Sequence, residues 1–185
     1  PLMVVGSGAE LDLEFRDASD GQITRTSTVA DLAAHEDGRG NPITGPIVVE
    51  GAEPGDVLQV DILDFEVDAW GWTCSAPGFG LLAGDFPDSI LAHWQIRDGF
   101  AETLGLRAPI APFPGVVGAC PAGPGQPFSV VPPRRVGGNL DVRQLVAGST
   151  AYLPIEVAGA WFGAGDGHAR QGDGEVCGSA IETES

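Results

Sequence analysis

The chain has 185 residues, and 9 basic side chains against 26 acidic ones leave a net charge of −17, which disfavours nucleic acid and anionic membrane surfaces as partners. All nine basic residues are Arg, so this chain offers no ammonium for a Gly-Lys-Ser/Thr phosphate loop, a Schiff base, or a Ser-Lys or Cys-Glu-Lys hydrolase. Apolar residues make up 43%, enough for a core, while 28 Gly and 15 Pro leave few stretches fit for a helix interior.

In chain order, residues 1–5 (PLMVV) read as the middle of a strand. Leu11, Leu13 and Phe15 alternate with Asp12, Glu14 and Arg16, a period of two that predicts a half-buried strand. Residues 28–41 are polar and predict an exposed loop, followed by a strand at 47–50. A turn at Glu53-Pro54-Gly55-Asp56 leads into a strand over 57–65, with Leu58, Val60 and Ile62 on one face. A strand at 90–96 precedes one or two helical turns at 101–104. Residues 108–133 are dense in proline but threaded with Ile110, Phe113, Val116, Val117 and Phe128, which predicts a loop-rich crossing around a strand at 115–119. A short helix at 140–146, with Asn139 as N-cap, and strands at 149–157 and 176–183 complete the reading. Many short strands joined by Gly/Pro turns predict an all-β fold, a β-sandwich or jelly-roll, as one domain over 1–185.

The cysteines, Cys74, Cys120 and Cys177, form no CxxC pair and are odd in number, so reduced thiols and a cytoplasmic location are expected. The most apolar stretch, 145–165, is broken by Ser149, Thr150, Pro154 and Glu156 and is not a bilayer span. No basic segment precedes an apolar one at the N-terminus, so no secretory signal is expected.

The densest run of functional side chains is GDGHARQGDGE, residues 165–175. Asp166, Asp173 and Glu175 offer carboxylate oxygens and His168 an imidazole, the donors that a hard or borderline divalent metal takes. An EF-hand reading fails, because its first, third and fifth positions would be Asp166, His168 and Arg170. The cupin pattern fails too, since Arg170 stands where a second His is needed. GAGDG at 163–167 lacks the third Gly of a dinucleotide fingerprint. Two readings stay open on these residues: a site folded by Gly-permitted turns, and a solvated acidic turn that happens to contain a His. At 132–141, Asn139 and Asp141 follow a Gly-Gly turn; they either point into a pocket, with Arg134 or Arg135 as charge partner, or cap a helix.

GPIVVEGAEPGD (45–56), PGFGLL (77–82), PFPGVVGACP (112–121), VPPRRVGGNLD (131–141), YLPIEVAGAWF (152–162) and GDGHARQGDGEVCGSAIE (165–182) occur in that order. They resemble the acetamidase/formamidase family from about Asp17 onward. The resemblance implies hydrolysis of short-chain amides such as formamide and acetamide to ammonia and carboxylate, on a β-sandwich-like fold. It also implies a chain short of N- and C-terminal segments that family members usually carry. Three positions depart from the family pattern: Leu140 stands for Met, Trp161 for Leu and Arg170 for Ala, the last placing a charge inside the motif.

An amidase must activate water, stabilise an oxyanion and protonate nitrogen. The expected arrangement puts a divalent metal, zinc or calcium, on Asp166, His168 and Asp141. Glu175 is the general base, Asp173 orients it or completes the shell, and Asn139 with the backbone N–H groups of Gly172 and Gly174 binds substrate. The rival makes Cys177 the nucleophile, on the same face of an extended segment as Glu175. Trp70, Trp72, Phe79, Phe86, Trp94 and Trp161 are read as core, with the wall of an acyl pocket as the alternative. His35 is expected at the surface and His93 within a strand. A second class of function is a catalytically silent β-sandwich that binds a metal or small ligand and acts as an assembly partner. Open strand edges predict a homo-oligomer.

Overall fold

A computed structural model describes residues 2–123 and 128–185, the side chain of Asp37 excepted. The proline-dense crossing therefore lies partly outside the described residues, at 124–127, as does Pro1. Among the described residues the regular structure is almost all strand, and the only helical pieces are 3-10 turns at Val29–Ala34 and Asp37–Arg39. The all-β expectation holds.

The strands are β1 (Met3–Val5), β2 (Ile43–Val49), β3 (Val57–Asp61), β4 (Trp70–Ser75), β5 (Ile90–Arg97), β6 (Phe100–Thr103), β7 (Leu106–Pro109), β8 (Phe113–Gly118), β9 (Gly137–Asn139), β10 (Thr150–Pro154), β11 (Phe162–Arg170) and β12 (Ile181–Glu182). Ten of them form one sheet ordered β1-β2-β11-β12-β4-β5-β6-β7, with β8 paired to β11 and β9 to β8. β3 and β10 make a separate antiparallel pair. All ladders are antiparallel except β1 with β2.

Strand β11 is the hub. It pairs with β8 along Gly163–His168, with β2 at Phe162–Gly165 and with β12 at His168–Arg170. Its residues are small because neighbouring chain comes close: a Cβ at Gly165 would lie 2.2 Å from the Pro42 carbonyl oxygen, and one at Gly167 2.4 Å from that of Thr183. Gly165 and Gly167, read from sequence as part of a Gly-permitted turn at 165–175, thus serve close packing of backbone against backbone.

Two apolar clusters flank the hub. Ile47, Val117, Leu153, Phe162 and Ala164 form one, covered by Leu13, Phe15, Leu58 and Val60 among others. Ile96, Ala101, Ala169 and Ile181 form the second, with Val67, Trp94 and Ile110. The alternation at 11–16 does turn Leu13 and Phe15 inward, but the segment joins no ladder; it is tied to the chain end by Phe15 N–H to Ser185 O (2.5 Å) and Ser185 N–H to Phe15 O (3.1 Å).

Other expectations fail for local reasons. Residues 101–104 are β6 and its turn, because β6 completes a meander with β5 and β7. No helix forms at 140–146: Asp141 sits at φ 47°, and the Leu140 and Asp141 N–H groups both donate to Gly115 O. Of 176–183 only Ile181–Glu182 is strand; a turn closed by Gly178 N–H to Glu175 O (3.0 Å) precedes it. Within the polar 28–41 segment, Thr28 caps the first 3-10 turn together with Asp31.

Candidate active site

β11 delivers Asp166 and His168 to one point, both about 99% buried. The ladder runs Gly165 to Val116 and Gly167 to Pro114, which sets Asp166 opposite Gly115 of β8. Asp166 takes a left-handed backbone, φ 59°, inside the strand, a conformation that costs a non-Gly residue roughly 1–3 kcal/mol and concentrates at functional positions. A register shift between His168 and Arg170 then lets β12 pair Glu182 directly with His168.

Around the imidazole stand four carboxylates. His168 Nε2 lies 3.2 Å from Glu182 Oε2, 3.3 Å from Asp166 Oδ1 and 3.8 Å from Glu175 Oε1. Asp141 joins through a second trio: one ligand atom each of Asp141, Asp166 and His168 fall within 4.8 Å of one another, as do those of His168, Glu175 and Glu182. Phe113 packs edge-on against the imidazole, ring centroids 4.9 Å apart. Gly115 forms the floor. A Cβ there would meet Asp166 Oδ2 at 2.6 Å, His168 Cε1 at 2.7 Å and Asp141 Oδ1 at 3.0 Å.

Burial and crowding of like charge set the protonation. Burial pushes the Glu175 carboxyl up to about 8, with Glu182 adding to the rise and His168 opposing it. Asp141 rises to about 6, again chiefly through burial. Burial also raises Glu182, against the attraction of His168. For His168, burial works against the imidazolium, yet the Glu182 and Asp166 carboxylates hold its pKa well above the usual value. The cluster is short of positive charge and retains protons to compensate.

The same shortage shows in its hydrogen bonds. Asp141 Oδ1, Asp166 Oδ1, both His168 nitrogens and Glu182 Oε2 are buried without a hydrogen-bond partner, although such atoms normally have one. Their other atoms are anchored: Asp166 Oδ2 accepts from Asn41 Nδ2 at 2.8 Å, and Glu182 Oε1 from the Ala180 N–H at 2.8 Å. Gln171 Nε2 holds the Asp141 carbonyl at 2.9 Å. Convergent unpartnered oxygens and one imidazole are the donor set of a divalent cation.

Of the residues singled out from sequence, Asp141, Asp166, His168 and Glu175 meet here. Asn139 stands one step back, its Oδ1 3.4 Å from the Asn41 amide that holds Asp166. Asp173 does not join: its side chain is 86% exposed and pairs with Arg143 at 2.7 Å, because Gly172 and Gly174 bridge to each other in an exposed turn that carries it outward. The expected Glu175–Cys177 face is absent, since the 175–178 turn replaces the strand. The Cys177 thiol instead donates to Ser179 O (3.6 Å), beside the Ser179 hydroxyl (3.7 Å).

The aromatic residues divide. Trp72 is buried and donates to Asp17 Oδ2 (3.1 Å), Trp94 packs on the second core cluster, and Phe79, Phe86 and Trp161 are exposed. His93 lies in β5, as expected, and His35 is half-buried beside Gln22 (3.3 Å). Glu182 and Asn41 were missed. The available signal for Glu182 was an acidic residue inside an otherwise apolar or small run, Gly178–Ile181. A wide cleft of about 810 Å³ between Glu14–Arg16, Pro42–Thr44 and Glu184–Ser185 contains none of the cluster's side chains.

Comparison with known proteins agrees with this architecture. The chain is 29% identical to an acetamidase of Mycolicibacterium smegmatis, with 96% of this chain and 59% of the relative aligned. It is 29% identical to a formamidase of Methylophilus methylotrophus, over 98% of this chain and 58% of the relative. The crystal structure of an acetamidase from Bacillus halodurans superposes with a TM-score of 0.92 at 37% identity, covering all of this chain and 61% of that one. The chain thus spans about three fifths of the length of these relatives. The sequence pattern of the Acetamidase/Formamidase family matches residues 1–124 and 126–185, through every strand and every acid of the cluster, and the chain belongs to that family.

Proposed function

We propose that this chain carries the catalytic centre of an amidase that hydrolyses short-chain linear amides, formamide and acetamide, to ammonia and the carboxylate. The observation that carries the reading is the convergence of Asp141, Asp166, Glu175 and Glu182 on His168 in a buried cluster against Gly115. The family relatives named acetamidase and formamidase support the substrate class.

Glu175, like Asp141, keeps partial access to solvent, its side chain 18% exposed, and burial pushes its carboxyl up to about 8. A group so poised takes a proton from water and returns it to the departing nitrogen at neutral pH. Without that proton the amide nitrogen leaves as an anion, which is the costliest feature of the uncatalysed reaction.

Asp141, Asp166 and His168, with Glu182 behind them, fit a divalent metal, and an imidazole among carboxylates suits zinc better than calcium. Bound there, such a cation polarises a carbonyl and acidifies water. Asn41 and Gln171 hold the acids in place through Asp166 Oδ2 and the Asp141 carbonyl.

A cytoplasmic location is supported by three free cysteines, and no helix among the described residues is long and apolar enough to cross a membrane. The exposed edges of β1 and β7 support a homo-oligomer.

Ammonia release from formamide and acetamide, with metal content measured on the same preparation, tests the reading. Activity lost in Glu175→Gln and His168→Ala supports it. Absence of any amide hydrolysis returns the chain to a silent metal- or ligand-binding sandwich, and full activity after chelation removes the metal.

A further inference from the structure

Arg170 plays no part in the acid cluster: its one hydrogen bond among the described residues goes to the Pro109 carbonyl. In a chain with 26 acids and 9 arginines, most guanidiniums find a carboxylate: Arg16, Arg25, Arg39, Arg97, Arg107, Arg135 and Arg143 all do. Among the described residues, Arg170 and Arg134 have none. Arg134 is spent on the Ser129 and Pro132 carbonyls and the Phe128 ring. Arg170 makes a single bond, Nη1 to Pro109 O at 2.8 Å, and the rest of its fork is unclaimed.

That fork lines a cleft of about 320 Å³ together with Arg143, Gln144, Gln171, Ala111 and Val146. Among the described residues Arg143 is held only by Asp173, an 86% exposed side chain that costs little to displace. Gln171 is buried, and its Oε1 has no hydrogen-bond partner. Arg143, Arg170 and Gln144 therefore border one space with Ala111 and Val146, the Gln171 amide being buried and turned to the Asp141 carbonyl, and no acidic residue lines that space.

We propose that this cleft is a binding site for a small carboxylate, whose oxygens take the Arg143 and Arg170 forks while its alkyl part rests on Ala111 and Val146. Guanidinium forks match carboxylate and phosphate alike, but a phosphate would leave the apolar wall unused. At about 320 Å³ the cleft is large enough for an alkyl carboxylate of a few carbons. The site is separate from the acid cluster and does not rest on the amidase reading. Gln171 joins the two, since it lines the cleft and holds the Asp141 carbonyl.

Calorimetric titration of the purified protein with sodium butyrate, acetate and phosphate, at constant ionic strength, tests the site. Saturable binding is expected, with butyrate tighter than acetate and phosphate weakest. Arg170→Ala and Arg143→Ala should each weaken butyrate by about tenfold or more, Arg170→Lys should weaken it less, and Glu175→Gln should leave it unchanged. Asp173→Asn should tighten it by removing the internal competitor. Wild-type affinity in Arg170→Ala, loss of binding in Glu175→Gln, phosphate binding tighter than butyrate, or no saturable binding each overturns the proposal. Arg170→Lys and the circular dichroism of every variant separate lost recognition from lost folding.

Discussion

Replacing Gly115 by Ala is the most direct test of the cluster's geometry. Gly115 lies within β8 at an ordinary strand backbone, so an added methyl meets no conformational penalty and its effect is purely steric. Ordinary contact between a carbon and its neighbours begins near about 3.5 Å. The new Cβ would sit 2.6 Å from Asp166 Oδ2, 2.7 Å from His168 Cε1 and 3.0 Å from Asp141 Oδ1. Those groups must retreat by roughly 0.5–0.9 Å on that scale, and Asp166 and His168, each 1% exposed, have no open solvent to retreat into. Overpacking of this kind costs about 1–3 kcal/mol of stability. Displacing reacting groups by close to an ångström costs on the order of a hundredfold in turnover. Urea melts and ammonia release from formamide read the two effects. Gly84→Ala is the control, because nothing lies within 4 Å of its Cβ. Wild-type turnover together with a wild-type urea midpoint in Gly115→Ala would refute the convergence of the three groups on that glycine.

Glu175→Gln should lower ammonia release by about 10²–10⁴-fold while leaving the fold intact, as checked by circular dichroism. Asp173→Asn should stay within about twofold of wild type, since its partner is Arg143 at the surface; a large loss would return Asp173 to the site. Cys177→Ser should retain activity, because among the described residues its thiol hydrogen-bonds to Ser179 and to no activating base or cation. Metal-free protein should become less stable as pH rises from about 4.5 to about 8. Glu175 and Asp141 have raised pKa values, so the folded state binds more protons than the unfolded one across that window and stability falls with pH. The urea midpoint measured at pH 5 and pH 8.5 checks the sign, and added zinc should restore the midpoint at the higher pH.

The parts of the fold that were legible in the sequence are those where one face of a strand meets water. Alternation marked β3, whose residues alternate between exposed and half-buried, because half-burial leaves a period of two. The hub strand carries no such mark. β11 is buried along nearly its whole length and built of Gly, Ala, Asp and His, so its strand character comes from what its neighbours do. The backbone at Pro42–Ile43, where β2 begins, and at Thr183, just past β12, approaches so closely that only glycine fits at 165 and 167, and sequence reading takes the glycines of this motif for a turn. Asp166 and His168 were found for their chemistry while their setting was mistaken.

Glu182 shows why a site of this kind resists a linear reading. It is fourteen positions from His168 in a two-residue strand, and only the shift at Arg170 brings the two opposite each other. Asp141 comes from a different ladder, through Gly115 and a left-handed backbone. Each acid alone reads as a turn residue or a strand-end charge; what makes them a site is that three ladders converge on one glycine. The decisive signal is then the number of buried acids around a single imidazole. Four carboxylates left without compensating charge would unfold such a pocket, so the fold persists only with protons or a cation in it. This ties the stability of the chain to the same occupancy that its chemistry requires. A variant that removes one acid, Glu182→Gln, should therefore gain stability in the metal-free protein as it loses affinity for zinc. Paired urea melts with and without zinc measure both, and a loss of stability in both conditions would show that Glu182 serves packing alone.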